Sequence, residues 1–221
     1  MLRQRSKQLE RIDTGDYTPE EYAIFMREIA FINKYLGDAR ALRNSLLTEV
    51  EKSGLKTFSV LDVACGSGQL LRQIRDFAAS TGREAHLIGV DLNELSFTPD
   101  ADNSAIAFVR TDAFHLPFPD NSFDYAISSL FLHHLTDQQI PAVLNELSRV
   151  ARRGVFAIDL ERRPSAWLLY RIFCFLFRIS PLVTQDGSLS VLRGFRRSEL
   201  GRFGSVRRSF PFRLLLRTPP L

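Results

Sequence analysis

Five short, mainly apolar runs divide the chain at intervals that are typical of strands alternating with helices. They lie at residues 60–63, 86–91, 108–113, 123–127 and 154–160. Apolar runs of this length are typical of parallel strands that are covered on both faces. Because helical patterns separate them, the sequence predicts an α/β fold with a Rossmann-like, doubly wound, mostly parallel sheet. Residues 205–216 predict a closing antiparallel C-terminal hairpin.

Helices are predicted before the first strand. Thr18, Pro19 and Glu21 combine an N-cap, a first-turn proline and a capping-box acid. An apolar face then follows at spacings of three and four, formed by Tyr22, Phe25, Ile29, Ile32 and Leu36. Gly37 fits the end of this helix. A second helix carries Leu42, Leu46 and Val50 and stops near Gly54.

These patterns divide the chain into an N-terminal helical cap, residues 1–54, and a sheet domain, residues 55–221. The cap is expected to act as a lid over a ligand or to pack on the sheet edge. An apolar helical insertion is predicted at about 164–183, with six uninterrupted apolar residues, 172–177. That run is far shorter than the roughly 20 residues needed to span a bilayer. The insertion is expected to line a pocket, touch a membrane surface, or form a core or homodimer helix.

Two further segments are predicted to be short. Pro99 interrupts the stretch after residue 91, which predicts a turn and a loop before the third strand. A last helix begins at Ser198, but Gly201 and Gly204 follow closely, so this helix is predicted to be shortened.

Composition narrows the classes of function. Only two cysteines, Cys65 and Cys174, occur in 221 residues, neither in the spacing of a zinc site, so no metal site is predicted. No signal peptide is evident, and we expect a reducing, cytoplasmic location. From Arg149 onward the net charge is +11, against −7 before it. This basic third predicts a solvated face or an anionic lipid or substrate, whereas no pattern of a nucleic-acid-binding protein supports that partner.

The most informative chemistry lies where the first two strands end. The first strand runs into Cys65-Gly66-Ser67-Gly68, a Gly-x-Gly turn that opens a helix and lets a backbone approach a ligand closely. Asp91 ends the second strand, 23 residues after Gly68, where an acid usually grips a ribose diol. The sequence therefore predicts a nucleoside site.

Two nucleoside classes fit this layout. An NAD-binding protein normally has a third glycine and a pyrophosphate over the turn, but Leu71 occupies that position and Asp62 would repel the pyrophosphate. A carboxylate at residue 62 suits a cationic sulfonium and an ammonium group instead. With Leu61 before it, this turn resembles motif I of the class I S-adenosylmethionine (SAM)-dependent methyltransferases.

Downstream motifs strengthen this resemblance over residues 57–161. They are Phe108–Ala113, the Leu-Pro-Phe-x-Asp-x-x-Phe-Asp segment 116–124, the segment 128–135, and the helix 145–150 before the fifth strand. Within the superfamily, the chain is most similar to the small-molecule branch that includes the ubiquinone and menaquinone biosynthesis enzymes. The resemblance implies SAM as cofactor, with ribose held at Asp91 and adenine at Asp112 and Ala113. The remaining implied cofactor contacts are Asp62, Ala64, Cys65, Gly66, Gly68, Leu92 and Ser128.

The family's reaction is an in-line methyl transfer that needs alignment and exclusion of water. An acceptor oxygen, or a ring carbon activated by a phenolate, also needs a general base. His133 and His134 are the candidate bases, with His115 a further candidate, because histidine titrates near neutrality. Further pocket candidates are Tyr17, Tyr22, Tyr170 and Arg171.

We therefore expect O- or C-methylation of a small, hydrophobic or aromatic acceptor, with contact to a membrane surface and homodimer formation as further partner hypotheses. The alternatives are a catalytically silent SAM-fold partner module and an NAD-dependent oxidoreductase. The silent module would keep the cofactor site and lack turnover. The oxidoreductase is disfavoured by the residues at positions 62, 71 and 112.

Overall fold

A seven-stranded sheet forms the centre of the molecule in the computed structural model, which describes residues 3–93 and 105–220. Its strand order is β3-β2-β1-β4-β5-β7-β6. The strands are β1 (Thr57–Val63), β2 (Glu84–Asp91), β3 (Ile106–Arg110), β4 (Phe123–Ser129), β5 (Ala151–Leu160), β6 (Ser205–Ser209) and β7 (Arg213–Thr218). The first five pair in parallel, and β7 pairs antiparallel with both β5 and β6. The predicted fold class is confirmed.

Helices cover both faces of this sheet. They are α1 (Arg11–Thr14), α2 (Pro19–Tyr35), α3 (Asp38–Leu42), α4 (Thr48–Ser53), α5 (Gln69–Ser80), α6 (Gln139–Val150), α7 (Pro164–Leu176), α8 (Pro181–Arg193) and α9 (Arg197–Leu200), with a π-helical turn at Arg43–Leu47 and a 3₁₀ turn at Leu132–His134. The alternation of side chains along β1 explains the two layers. Leu61 and Val63 point into a core shared with α6, whereas Phe58 and Val60 point into a core shared with α5 and the helices before β1.

The predicted start of α2 is confirmed in detail. The Thr18 hydroxyl accepts a hydrogen bond from the backbone N–H of Glu21 at 3.2 Å, and the Glu21 carboxylate accepts from the backbone N–H of Thr18 at 2.9 Å. The helix ends one residue earlier than predicted, because Leu36 is its C-cap. Gly37 follows in a left-handed conformation, as predicted for a glycine that ends a helix, and it is also the N-cap of α3.

The apolar insertion forms two helices. The first, α7, is followed by α8, which continues to Arg193, ten residues beyond the predicted end at 183. Among the described residues, no helix is both long enough and apolar enough to cross a membrane. The expected shortening near the C-terminus is present, since α9 has only four residues. The turn and loop predicted before the third strand fall on residues 94–104, outside the described residues.

Candidate functional site

The carboxyl ends of β1 and β2 meet at one edge of the sheet, together with the turn that precedes α5. Three backbone positions in that turn are left-handed: Ala64 (φ 59°), Gly66 (φ 51°) and Gly68 (φ 76°). Glycine adopts this conformation at little cost, whereas an alanine rarely does. Ala64 is therefore a strained residue, of the kind that concentrates at functional sites.

Leu71 occupies the position of the third glycine of a dinucleotide site, and the structure explains how a leucine fits there. The side chain is fully buried between α5 and the sheet. A Cβ placed on Gly89 of β2 would stand only 2.9 Å from Leu71 Cδ1 and 2.7 Å from Cys65 Sγ. The close approach of helix and strand is thus permitted by a glycine on the neighbouring strand.

Asp91 is locked in place by the turn. Its Oδ2 accepts a hydrogen bond from the backbone N–H of Gly66, and its Oδ1 accepts from that of Asn93, both at 2.9 Å. Each carboxylate oxygen can accept a further bond, so the group is positioned but not saturated. Asn93 also donates through Nδ2 to the Tyr17 hydroxyl at 3.0 Å, which ties the N-terminal segment to this strand end.

Asp62 is buried, and one of its carboxylate oxygens lacks a hydrogen-bond partner among the described residues. The residue is 2% exposed, and that oxygen is Oδ1. Burial raises the pKa of this carboxyl well above its ordinary value, and the nearby charge of Asp91 raises it further. A buried carboxylate normally has a partner, so Asp62 is suited to a cationic ligand group.

The remaining predicted cofactor contacts divide into two groups. Leu92, Asp112 and Ala113 line the cavity at the ends of β2 and β3, and Asp112 Oδ1 accepts a hydrogen bond from the backbone N–H of Phe114 at 2.9 Å. Ala64, Cys65 and Gly66 also line it. Gly68 instead forms the N-cap of α5, and Ser128 is buried within β4, where its neighbour Ser129 reaches the cavity wall.

Cys65 is not built as a nucleophile. Burial raises the pKa of its thiol, and the negative charges of Asp62 and Asp91 raise it further. A thiol is reactive only as the thiolate, which this environment disfavours. The side chain therefore serves packing in the turn.

These strand ends open into a cavity of about 1140 Å³. We call the side formed by Asp62, Ala64–Gly66, Asp91, Leu92, Asp112 and Ala113 the nucleoside half. The opposite side, which we call the acceptor half, is formed by Glu10, Phe25, Ile29, His133, His134, Leu169, Tyr170 and Phe173. Typical ligand pockets measure roughly 300–1,000 Å³, so there is room for two ligands side by side.

Both predicted histidines lie in the acceptor half, and each is oriented by a carboxylate. His133 Nδ1 lies 2.8 Å from Asp159 Oδ1, and His134 Nδ1 lies 2.6 Å from Asp13 Oδ1. Because His133 is 2% exposed, this pair is shielded from bulk water, whereas the side chain of His134 is about one-fifth exposed. A carboxylate on Nδ1 fixes the ring and leaves Nε2 for another partner.

Glu10 completes this cluster, although no motif in the sequence indicates it. Its Oε1 is buried without a hydrogen-bond partner among the described residues, 3.9 Å from His133 Nε2, while Oε2 accepts from the Ser190 hydroxyl at 2.7 Å. Burial raises the pKa of Glu10 to about 7, although His134, Ser190 and Arg193 act in the opposite direction. No local signal marks Glu10, since 123 residues separate it from His133.

Arg193 donates hydrogen bonds to several residues of this cluster. Its guanidinium donates to the carbonyl oxygens of His133 and His134 at 3.0 and 2.7 Å, and to Asp13 Oδ2 at 2.7 Å. Its Nε stands 3.7 Å from Glu10 Oε1. The cation therefore fixes the backbone of the histidine pair. Although burial raises the pKa of Asp13, His134 and then Arg193 lower it below its ordinary value.

Of the remaining candidate residues, the three tyrosines lie at the cavity, whereas Arg171 and His115 do not line it. Tyr17, Tyr22 and Tyr170 line the cavity. The Tyr170 hydroxyl donates to the carbonyl oxygen of Val183 at 2.7 Å, so it supports the wall instead of meeting a ligand. Arg171 lies on the outer side of α7, over the Trp167 ring at 5.0 Å, and His115 is exposed on the loop after β3.

Sequence comparison relates this chain to methyltransferases. Residues 60–154 match the family model described as a methyltransferase domain. A ubiquinone/menaquinone biosynthesis C-methyltransferase from Cellvibrio japonicus is 35% identical over 150 residues, covering 62% of this chain and 59% of the relative. A 2-phytyl-1,4-naphthoquinone methyltransferase from Nostoc punctiforme is 36% identical over 115 residues, covering 48% of each chain. The chain thus spans about half to three-fifths of the length of these relatives.

Structural comparison gives the same fold at lower identity. A magnesium protoporphyrin IX methyltransferase from Synechocystis PCC 6803, with bound S-adenosylhomocysteine (SAH), has a TM-score of 0.62 and 18% identity, covering 96% of this chain and all of its own. A SAM-dependent methyltransferase from Aquifex aeolicus has a TM-score of 0.60 and 16% identity, covering 93% of this chain and all of its own. At these identities the likeness establishes the fold.

Proposed function

We propose that this chain is a class I SAM-dependent methyltransferase related to the quinone biosynthesis enzymes and that it transfers a methyl group from SAM to a lipophilic small molecule. The observation that carries the proposal is the pair of acids at the strand ends. Asp91 is held ready by backbone N–H groups, whereas Asp62 presents a buried, partnerless oxygen to the same cavity. A ligand with a diol and a cationic end satisfies both.

The nucleoside half fits SAM group by group. Asp62 would receive the ammonium end, Asp91 the ribose hydroxyls, and Asp112 with Ala113 the adenine. The turn at 64–66 brings backbone close to the ligand with little side chain between them. When bound, SAM supplies an electrophilic methyl carbon on a positively charged sulfur.

The acceptor half supplies the proton acceptor. Glu10 Oε1 and His133 Nε2 are 3.9 Å apart, and both residues line the cavity. A hydroxyl oxygen lying off the line between these atoms stands about 2.8 Å from each, which is hydrogen-bond distance. We therefore assign Glu10 and His133 the task of taking the proton from the acceptor as its oxygen, or a ring carbon made nucleophilic by that oxygen, attacks the methyl carbon.

The surroundings stabilise the proton once it arrives. His133 as an imidazolium would lie between Asp159 at Nδ1 and Glu10 at Nε2. His134, fixed by Asp13, packs against the His133 ring with centroids 4.2 Å apart. We assign His134 a positioning role beside this pair, because its ring packs against that of His133 and its side chain is the more exposed of the two.

The apolar side chains of the acceptor half indicate the chemical class of the methyl acceptor. Phe25, Ile29, Leu169 and Phe173 present apolar surface opposite the nucleoside half. An aromatic ring with an alkyl tail would be desolvated there without leaving polar groups unpaired. Relatives named for ubiquinone, menaquinone and 2-phytyl-1,4-naphthoquinone support this substrate class, and we propose a reduced quinone or similar phenol. Both cysteines are free, which supports the reducing cytoplasm as the location.

The proposal is tested with methyl-labelled SAM and a panel of demethylated quinols and simple phenols. We expect label in the quinols, and the carbon chemical shift of the methyl group then distinguishes O- from C-methylation. Each reaction is repeated with a chelator, because Glu10, His133 and His134 carry donor atoms within 4.8 Å of one another. Turnover that survives chelation supports the proton-acceptor assignment.

A contrary result has a clear form. If the chain binds SAH but transfers no label to any acceptor, it is a silent SAM-binding module. If turnover requires an added divalent cation, Glu10 and the histidines are ligands and the assignment of a proton acceptor is wrong. Binding of NAD in place of SAH would overturn the assignment of Asp62.

A further inference from the structure

Helix α7 has an unusually apolar outer face. Its inner stripe, Ala166, Tyr170 and Cys174, is buried against α2 and α8. Its outer residues are 44–83% exposed, although all are large and hydrophobic: Leu168, Leu169, Ile172, Phe175, Leu176 and Phe177. These six are more than half of the eleven large hydrophobic residues that are exposed in the described parts of the chain. Concentration of this kind marks an interaction surface.

The exposed charges in and beside α7 are mainly positive, although Glu161 lies 3.1 Å from Arg163 and Glu28 of α2 accepts hydrogen bonds from Ser180. Arg163, Arg171 and Arg178 are exposed in or beside α7, and the sequence contains no acidic residue between Glu161 and Asp186. Arg171 lies over the half-buried Trp167, an arrangement suited to the boundary between hydrocarbon and headgroups. The surface therefore combines apolar area with a local positive charge.

The same helix forms the rim of the cavity. Leu169 and Phe173 line the acceptor half, while Leu168 and Ile172, on the neighbouring stripe, face outward. Leu169 belongs to both sets, since it lines the cavity and is 52% exposed. A lipophilic molecule that leaves the outer face can therefore reach the acceptor half by passing around one helix.

We propose that the outer face of α7 docks on an anionic lipid bilayer and receives the acceptor from it. The inference rests on the proposed function for the nature of the acceptor, but the docking itself does not. With 13 residues α7 lies in the plane of the interface, where such helices enter roughly 5–10 Å deep. Arginines at the headgroups gain from the negative surface potential of the bilayer.

A second copy of the chain fits this face less well. A twofold contact between two α7 helices would bring the arginines of both copies together with no acid on the helix to offset them. Like charges brought together across an interface oppose association. Anionic headgroups, in contrast, complement the arginines.

The test is co-sedimentation with two kinds of vesicle, pure phosphatidylcholine and phosphatidylcholine with one-third phosphatidylglycerol. We expect binding to the anionic vesicles that weakens as salt is raised. Replacing Phe175 and Leu176 by Gln, a good helix former, should lower the partition coefficient at least tenfold. Each basic residue near an anionic surface contributes roughly fivefold to the partition coefficient. Because R171E/R178E reverses two such charges, this double variant should lower the partition coefficient by more than fivefold for each residue changed.

A matched control separates local from global charge. Arg202 and Arg207 are exposed outside α7, so R202E/R207E makes the same change in net charge elsewhere. Equal losses from the two arginine pairs would contradict docking through α7, as would equal binding to both vesicle types. Sedimentation that reveals a dimer abolished by F175Q/L176Q would assign the face to self-association and overturn the proposal.

The proposed function can fail independently of the docking. A short-chain, water-soluble quinol reaches the cavity without a bilayer. If F175Q/L176Q methylates that quinol normally but a vesicle-dissolved quinol at least tenfold more slowly, docking delivers the acceptor. If vesicle binding is intact but neither quinol is methylated, the surface assignment stands and the acceptor class is wrong.

Discussion

The nucleoside half and the acceptor half of the cavity are built in different ways. In the nucleoside half, the chemistry lies where consecutive strands end, and its key contact joins residues 66 and 91, only 25 positions apart. In the acceptor half, the contacts between His133 and Glu10 and between His134 and Asp13 join positions more than 120 apart. The first half follows from strand order, whereas the second depends on how the N-terminal segment packs over the sheet.

This difference separates binding from turnover. The nucleoside half can form wherever β1, β2 and β3 pair, because its backbone donors and acids belong to those strands and to the turns that follow them. The acceptor half needs α1, α8 and the turn at 132–134 in place together. Damage to the acceptor half should therefore spare cofactor affinity, while damage to the nucleoside half should not.

The largest effect is expected from His133→Asn. Because this change removes the Nε2 acceptor while Asn can still donate to Asp159, methyl transfer should fall by about 10²- to 10⁴-fold. Affinity for SAH, measured by calorimetry, should change by less than about twofold, and the thermal midpoint serves as the folding control. A parallel loss of SAH affinity would show that the two halves are not separable.

Asp91→Ala, in contrast, should weaken the binding of SAH itself. This change removes the carboxylate that would accept two hydrogen bonds from the ribose hydroxyls. Each such bond to a charged group contributes about 1.5–3 kcal/mol, so SAH affinity should fall by roughly 100-fold or more. Asp76→Ala, which removes an exposed acid whose partner among the described residues is Arg75, should leave affinity unchanged. Unchanged SAH affinity in Asp91→Ala would contradict the proposal that Asp91 binds the ribose hydroxyls.

Gly187→Ala tests the packing of the acceptor half. A Cβ on Gly187 would collide with the Tyr170 ring, including Cε1 at 2.9 Å. Overpacking of this kind costs about 1–3 kcal/mol, which lowers the thermal midpoint by roughly 2–12 °C for a chain of this size. SAH affinity should persist, and adding Tyr170→Leu should restore part of the stability. No loss of stability would mean that α7 and α8 are not packed as described.

The smallest effect is a pH dependence that belongs to Glu10. Since burial raises the pKa of Glu10 to about 7, the carboxylate is present above that pH and is lost below it. His133, His134, Asp13 and Arg193 all face this carboxyl, and its Oε1 lies 3.7 Å from Arg193 Nε and 3.9 Å from His133 Nε2.

The rate kcat/KM should therefore rise with pH up to about 7 and fall by up to tenfold for each unit below it. In Glu10→Gln this step should disappear, while the pH dependence of SAH binding stays as in the unaltered chain. A step retained in Glu10→Gln would assign the titration to another group.

The sequence was sufficient to predict that Asp62, the Gly-x-Gly turn and Asp91 meet at one edge of the sheet, because these signals are local. The Gly-x-Gly turn, Asp62 and Asp91 occupy strand ends, and strand ends follow from the apolar runs. The capping box at Thr18 is equally local and is confirmed. The last helical residue of α2 is Tyr35, and the left-handed Gly37 after the C-cap ends this helix and also caps the next one.

The acceptor half could not be predicted in full because its polar residues are paired across the fold. Asp186, buried in α8, accepts hydrogen bonds from the backbone N–H groups of Arg11 and Ile12 at 3.0 and 3.1 Å. Along the chain, this acid and Gly187 argue against a buried helix. Glu10 likewise looks like an ordinary surface acid until the fold places it beside His133.

The most direct test of the account is calorimetric titration of the unaltered chain with SAH, with NAD in parallel. The account predicts saturable binding of SAH at one site and none of NAD, because Asp62 offers its free oxygen to an ammonium group and opposes a pyrophosphate. Asp62→Asn, which keeps the shape and removes the charge, should weaken SAH binding. Binding of NAD alone would contradict the account at its centre.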